Sequence, residues 1–82
     1  MTERDIDIKV MASLIKVYKE VDQTIQNFGA EILITEAPGI IHRKNTIEDM
    51  IKKYAQTHFK GLAYADHMDI EEIEEETIMG TR

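Results

Sequence analysis

The chain of 82 residues contains no cysteine. Disulfide bonds, thiolate zinc sites and a cysteine nucleophile are therefore excluded within it, and this composition suits a reducing compartment. The four glycines stand far apart, at positions 29, 39, 61 and 80, so they form no glycine-rich phosphate loop. No serine has a base nearby in sequence, and the three histidines show no catalytic spacing. We therefore expect a non-enzyme without cofactor or metal.

Long apolar runs are also missing. The first residues mix Glu3, Arg4 and Asp5 with no apolar run behind them, so we expect neither a signal peptide nor a membrane span, and we expect a cytoplasmic protein. A chain of this length makes one domain and buries only roughly 60% of its unfolded surface. Contacts within an oligomer would therefore help to stabilise it.

The net charge of −6 is unevenly distributed. Residues 1–65 hold nine acids and nine lysines or arginines, whereas residues 66–82 hold seven acids and a single arginine. The sequence thus predicts a neutral module over residues 1–65 and an acidic tail over residues 66–82.

Residues 5–28 carry the clearest periodic pattern. Apolar side chains recur at alternating spacings of three and four, which predicts an amphipathic helix: Met11, Leu14, Tyr18, Val21, Ile25 and Phe28. Gly29 then suits the left-handed stop that ends such a helix. Further apolar residues widen the arc, so the helix needs cover either from the rest of the chain or from a second subunit. A homo-oligomer interface is predicted at four of these positions, namely Ile8, Met11, Ile15 and Tyr18.

Residues 31–35 and 40–44 are two short runs rich in β-branched residues. Between them, Pro38 and Gly39 suit the centre of a type II turn, which predicts a β-hairpin. Asn45 and Glu48 then form the pattern of a capping box that opens a second amphipathic helix. The predicted fold is mainly α, with an α+β order of long helix, β-hairpin, second helix and an acidic C-terminal tail or short helix, and it is oligomeric.

In the tail, Asp69 and Glu72 can cap a short helix with Ile70 and Ile73 on one side. Repulsion among the glutamates opposes that helix, so we expect a frayed helix or a disordered tail in the absence of a partner. Nearby Asp66 and His67 could contribute to a metal site, but capping explains this cluster more simply. The glutamates are predicted to bind a partner protein, and they are Glu71, Glu72, Glu74, Glu75 and Glu76.

The densest group of cations comprises Arg43, Lys44, Lys52, Lys53 and Lys60. In a neutral module these side chains could form a face that binds DNA phosphates. The alternative is a solvated helix face with ion pairs to Glu48 and Asp49. His58 lies on the apolar side of the same predicted helix, where packing is favoured over a ligand role.

Over about residues 7–60, the order of a long helix, a hairpin turned at a glycine and an asparagine-led helix resembles the C-terminal half of a phage terminase small-subunit family. The correspondence places Asp7 near the start of the long helix, Gly29 at its end, Gly39 in the hairpin and Asn45 at the second helix. The resemblance implies a non-catalytic, ring-shaped DNA-packaging subunit that engages viral DNA and a large ATPase-nuclease subunit in the bacterial host cytoplasm.

A second hypothesis fits the same charge pattern. The chain would be a small acidic protein-binding regulator or inhibitor of phage or mobile-element origin. Its tail would imitate the charge of a nucleic acid and occupy the basic groove of another protein. Neither hypothesis involves a membrane.

Overall fold

The computed structural model describes residues 2–80 of the chain. The helices are α1 (Glu3–Phe28), α2 (Ala30–Glu36), α3 (Pro38–His58) and α4 (Ile70–Glu74). A 3₁₀ turn at Ala65–His67 precedes α4, and a π-helical turn at Glu75–Met79 follows it. The described part of the chain measures 44 × 23 × 16 Å.

Helix α1 confirms the long amphipathic helix, and its start is fixed by a capping box. The Asp5 amide donates to Thr2 Oγ1 at 3.2 Å, and the Thr2 amide donates to Asp5 Oδ2 at 3.1 Å. These hydrogen bonds with Thr2 lower the pKa of the Asp5 carboxyl. The helix ends where it was predicted to end, because Gly29 adopts φ +86° and its amide donates to the Ile25 carbonyl oxygen.

The predicted β-hairpin is wrong, since residues 2–80 contain no strand. Residues 31–35 lie in α2, and residues 40–44 lie in the first turns of α3. Pro38 occupies the first turn of α3, where its missing N–H costs no hydrogen bond. Two isolated strands are marginally stable, whereas a helix satisfies its backbone hydrogen bonds internally. The pair Pro38-Gly39 therefore begins a helix rather than turning a hairpin.

The predicted helix start at Asn45 is also wrong. Because α3 begins at Pro38, Asn45 is an exposed residue inside the helix. Glu48 does not close a capping box there, and its Oε1 accepts from Lys52 Nζ at 3.1 Å instead. This pair joins residues i and i+4 on one helix surface. Helix α3 ends at His58, and the chain then passes through Gly61, which has φ +88°.

The core lies between α1, α3 and α4. Its buried members come from all three helices and from the loop before α4: Met11, Ile15, Ile51, Ala55, Leu62, Ala65, Ile70 and Ile73. Ile73 is fully buried, so the predicted acidic tail contributes directly to the core. Of the two structures predicted for the tail, the short helix is found, with the Asp69–Glu72 capping box in place. Residues 81 and 82 of that tail lie outside the described residues.

Candidate functional site

The predicted basic face is divided by the geometry of α3. At about 100° per residue, Arg43 and Lys53 lie on one side of the helix, whereas Lys44 and Lys52 lie on the other. Lys60 lies in the loop after the helix. The second side is also neutralised, because Lys44 pairs with Asp22 at 2.8 Å and Lys52 pairs with Glu48. The five cations therefore do not share one face, and the alternative of ion-paired helix surface describes Lys44 and Lys52.

Lys44 belongs to a small polar cluster between α1 and α3. Its Nζ lies 5.9 Å from the centre of the Tyr18 ring and also contacts Asp22. The hydrogen bond to Asp22 raises the pKa of the Lys44 ammonium, and burial raises the pKa of the Tyr18 phenol. Tyr18, predicted to contact a second subunit, thus contacts α3 of its own chain.

The other predicted oligomer residues also face inward. Met11 and Ile15 are 0% and 1% exposed, and they pack against α3 and α4 within one chain. Ile8 is half-buried. Met11, Ile15 and Tyr18 therefore belong to the core side of α1 in the single chain, and any second subunit would have to contact a different side of the helix.

The tail glutamates have different surroundings. Glu72 closes the capping box of α4, and both carboxylate oxygens of Glu74 accept from Lys19 Nζ at 2.9 Å. Glu71, Glu75 and Glu76 are exposed and have no ion-pair partner among residues 2–80. These three side chains form the part of the predicted partner-binding tail that remains open to solvent.

Sequence reasoning missed a buried carboxylate at Asp7. Tyr54 Oη donates to Asp7 Oδ1 at 2.8 Å, and His58 Nδ1 lies 3.7 Å from the same oxygen, too far for a hydrogen bond. The Tyr54 and His58 rings stack with their centres 4.1 Å apart. The spacing of Asp7, four residues before Met11, places a charged residue on the core side of α1, and this was the signal available in the sequence.

The Asp7 carboxylate joins α1 to α3, and Asp7 lines a cleft of about 710 Å³. Charged residues of both signs line this cleft, including Glu3, Arg4, Lys60 and Glu76. His58, predicted to pack, stacks on Tyr54, lines this cleft and has a side chain that is 40% exposed. Among residues 2–80, no group of three or more histidine, aspartate or glutamate side chains is placed to hold a metal ion.

Titration of the tyrosines tests these contacts. Burial, and then the hydrogen bond to Asp7, raise the pKa of Tyr54 above its ordinary value of 10.0. The pKa values of Tyr18 and Lys44 are also raised. The folded chain therefore holds these protons more tightly than the unfolded chain, so stability should be intact below about pH 10 and should be lost as the pH rises through the raised pKa values.

We expect tyrosinate absorbance to develop at higher pH in the native chain than in guanidinium. Replacing Tyr54 with phenylalanine should remove one of the late-titrating groups and serves as the assignment control. Superimposable native and denatured titration curves would contradict the proposed contacts of Tyr18 and Tyr54.

One side of α1 is only partly covered by the other described residues. It consists of uncharged residues at helical spacing, which we call the uncharged flank: Ile6, Val10, Ser13, Leu14, Val17, Val21, Thr24 and Phe28. Ile6, Val17 and Phe28 are 48%, 46% and 61% exposed. Lys19, which binds Glu74 of α4, points about 180° away from Val10 on the helix. Helix α4 thus covers the opposite side of α1. On the uncharged flank, Ile6, Ser13, Val17 and Phe28 are exposed and the other four members are half-buried, with Leu14 packed against the core.

Helix α3 continues this surface. A shallow groove of about 260 Å³ between the two helices is lined by Leu14 of the flank and by Met50, Lys53, Tyr54, Thr57 and His58 of α3. Met50 is 50% exposed. We call the uncharged flank together with Met50 the binding face. It spans two helices, and the groove between them is lined by apolar and aromatic side chains together with Lys53, Thr57 and His58.

Comparisons with family models, with curated proteins and with solved structures found no match to this chain. Within residues 2–80, no helix combines the length and the apolar character needed to cross a membrane.

Proposed function

We propose that this chain is a non-catalytic protein-binding module that contacts its partner through the binding face. The observation that carries the proposal is the uncharged flank of α1, which runs from Ile6 to Phe28 without a charged residue and exposes the large apolar side chains of Ile6, Val17 and Phe28. A helix that is apolar on more than its core side requires cover from a second source. Contiguous exposed apolar surface of this kind marks protein interaction sites.

Two features separate the binding face from ordinary surface. Apart from Ser13, its exposed members are large and apolar. Ile6, Val17 and Phe28 lie on one side of α1 at intervals of eleven residues, and half-buried side chains of the flank lie between them. Met50 extends the same surface onto α3, where the groove beside Leu14 offers a recess for a partner side chain. A cytoplasmic location, which suits the absence of cysteine, is part of this proposal.

The DNA-packaging role stays a prediction from the resemblance. The hairpin that contributed to that resemblance is replaced by α2 and the start of α3, and Arg43, Lys53 and Lys60 do not join Lys44 and Lys52 in one basic face. The acidic regulator belongs to the same class of protein-binding module but would use Glu71, Glu75 and Glu76. These two contact surfaces can be separated by mutation.

The test compares three variants of the full chain as immobilised bait in an extract of the source cells, with retained proteins quantified by mass spectrometry. Val17→Glu places a charge at the centre of the uncharged flank, and we expect at least about tenfold less of the retained partner, because a buried unpaired charge is costly. Lys16→Glu, at a neighbouring exposed residue outside the binding face, is the control and should retain the partner.

The third variant replaces Glu71, Glu75 and Glu76 with glutamine. Loss of the partner in this variant, with retention by Val17→Glu, would contradict the proposal and would favour the acidic regulator. Circular dichroism of each variant establishes that the bait is folded before the comparison is made.

A further inference from the structure

We infer that the occupant of the binding face is a second copy of this chain, so that two chains form a symmetric dimer of four long helices. This inference rests on the proposed function, because it names the partner of the same surface. In each chain, α1 and α3 form one layer, α4 covers one side of α1, and the binding face is left on the other side. Packing two such layers face to face completes a four-helix arrangement.

The charge pattern of the flank suits a copy of itself. In a twofold dimer the same surface is present on both chains, so any charge at its centre meets a like charge or must find a partner across the axis. On α1 the uncharged flank avoids this conflict, because residues 6–28 place no charged side chain on it; on α3 one cation, Lys53, lines the adjoining groove. A strongly charged foreign partner would find nothing on this flank to pair with.

The spacing of the flank suits helix-to-helix packing. Val10, Leu14, Val17, Val21, Thr24 and Phe28 follow one another at intervals of four, three, four, three and four. This alternation keeps one seam facing a neighbouring helix, and its side chains can enter holes between the side chains of that helix. The groove lined by Leu14 and Met50 is such a hole on the opposing layer.

The binding face is large enough for a specific dimer interface. The seam from Val10 to Phe28 spans about 27 Å at 1.5 Å per residue, and a layer of two helices is about 20 Å wide. The footprint is then on the order of 500 Å² per chain, or about 1,000 Å² in total, which reaches the lower bound for a specific interface. A single chain of this length has a marginal core, so this burial adds materially to its stability.

Sedimentation equilibrium of the full chain tests the inference. The chain mass is 9.5 kDa, and we expect the wild type to approach twice that mass as the concentration rises. Val17→Glu should raise the dimer dissociation constant at least about 100-fold, whereas Lys16→Glu should leave it within about threefold. Val17 is 46% exposed in the single chain, so the variant is expected to fold as a monomer with unchanged helical circular dichroism.

A second substitution, Phe28→Lys at the 61% exposed end of the seam, tests the inference independently if Val17→Glu does not fold. It should also shift the chain to the monomer. A wild type that stays at 9.5 kDa at the highest attainable concentration, or a dimer that persists in both variants, would overturn the inference. So would a discrete assembly larger than two chains.

Failure of the dimer inference can be distinguished from failure of the proposed function. A monomeric wild type that retains a foreign protein, and loses it in Val17→Glu, would overturn the second copy while supporting a protein-binding face. A dimer that is insensitive to Val17→Glu, together with retention that is equally insensitive, would remove both proposals.

Discussion

Replacing Ile73 with alanine is expected to lower the free energy of unfolding by about 2–5 kcal/mol, the cost of truncating a large aliphatic side chain in a core. Ile73 is fully buried, although it lies within the most acidic stretch of the chain. It packs in the same cluster as Met11 and Ile51, so the substitution would leave a cavity where α4 meets the other two helices. Since a chain of 82 residues has a total stability of about 4–12 kcal/mol, a large part of it would be lost.

The measurement is urea denaturation followed by circular dichroism, performed at one fixed chain concentration because association would stabilise the folded state. Glu75→Ala is the matched control, since this exposed residue near Ile73 has no ion-pair partner among the described residues, and its replacement should change stability by less than about 0.5 kcal/mol. Equal effects of the two substitutions would contradict the docking of α4 on the core.

Deletion of the acidic tail therefore cannot isolate the effect of its charge on binding. Removing residues 66–82 would take Ile70 and Ile73 out of the core together with the glutamates. Substitution of the exposed glutamates by glutamine changes the charge and preserves the buried contacts.

Replacing Gly39 with alanine is expected to raise stability, by up to about 1 kcal/mol, because alanine favours a helix more than glycine does. Gly39 lies in the first turn of α3 without a positive φ, and a Cβ added there would have no other atom within 4 Å. In a type II hairpin turn the same substitution would be destabilising, because that position requires φ above zero. The sign of the effect therefore distinguishes the helix from the hairpin.

Gly29→Ala is the companion measurement and should have the opposite sign. Gly29 has φ +86° at the junction of α1 and α2, so an alanine there is strained even though space is available. We expect a loss of about 1–2 kcal/mol. Thermal or urea denaturation of both variants gives the comparison, and a destabilising Gly39→Ala would contradict the start of α3 at Pro38.

Local patterns in the sequence were sufficient for α1, for its end at Gly29 and for the Asp69–Glu72 cap, because each depends on residues within one or two turns. They failed over residues 31–44, where the β-branched residues suggested strands. Strand preference reflects packing on a sheet more than a backbone preference. Without a third strand to pair with, these residues form α2 and the start of α3, and Leu33 is the buried residue of α2.

The candidate site was harder to predict than the fold, because it depends on which side of α1 each neighbour covers. The widened apolar arc indicated that α1 needs more than one source of cover, but the positions chosen for the oligomer included Met11 and Ile15, which face the core. The pairing of Lys44 with Asp22 joins distant parts of the chain and cannot be read from local spacing. The same limit concealed the hydrogen bond between Asp7 and Tyr54.

The anchoring of α4 has a consequence for how this molecule responds to ionic strength. Because Ile70 and Ile73 fix the acidic stretch to the core, its negative field originates from one place on a body 44 Å long. At physiological ionic strength that field decays over about 8 Å. Approach of a cationic molecule to the acidic stretch should therefore slow steeply as salt is added, whereas contacts through the uncharged flank, on the far side of α1, should be nearly indifferent to it.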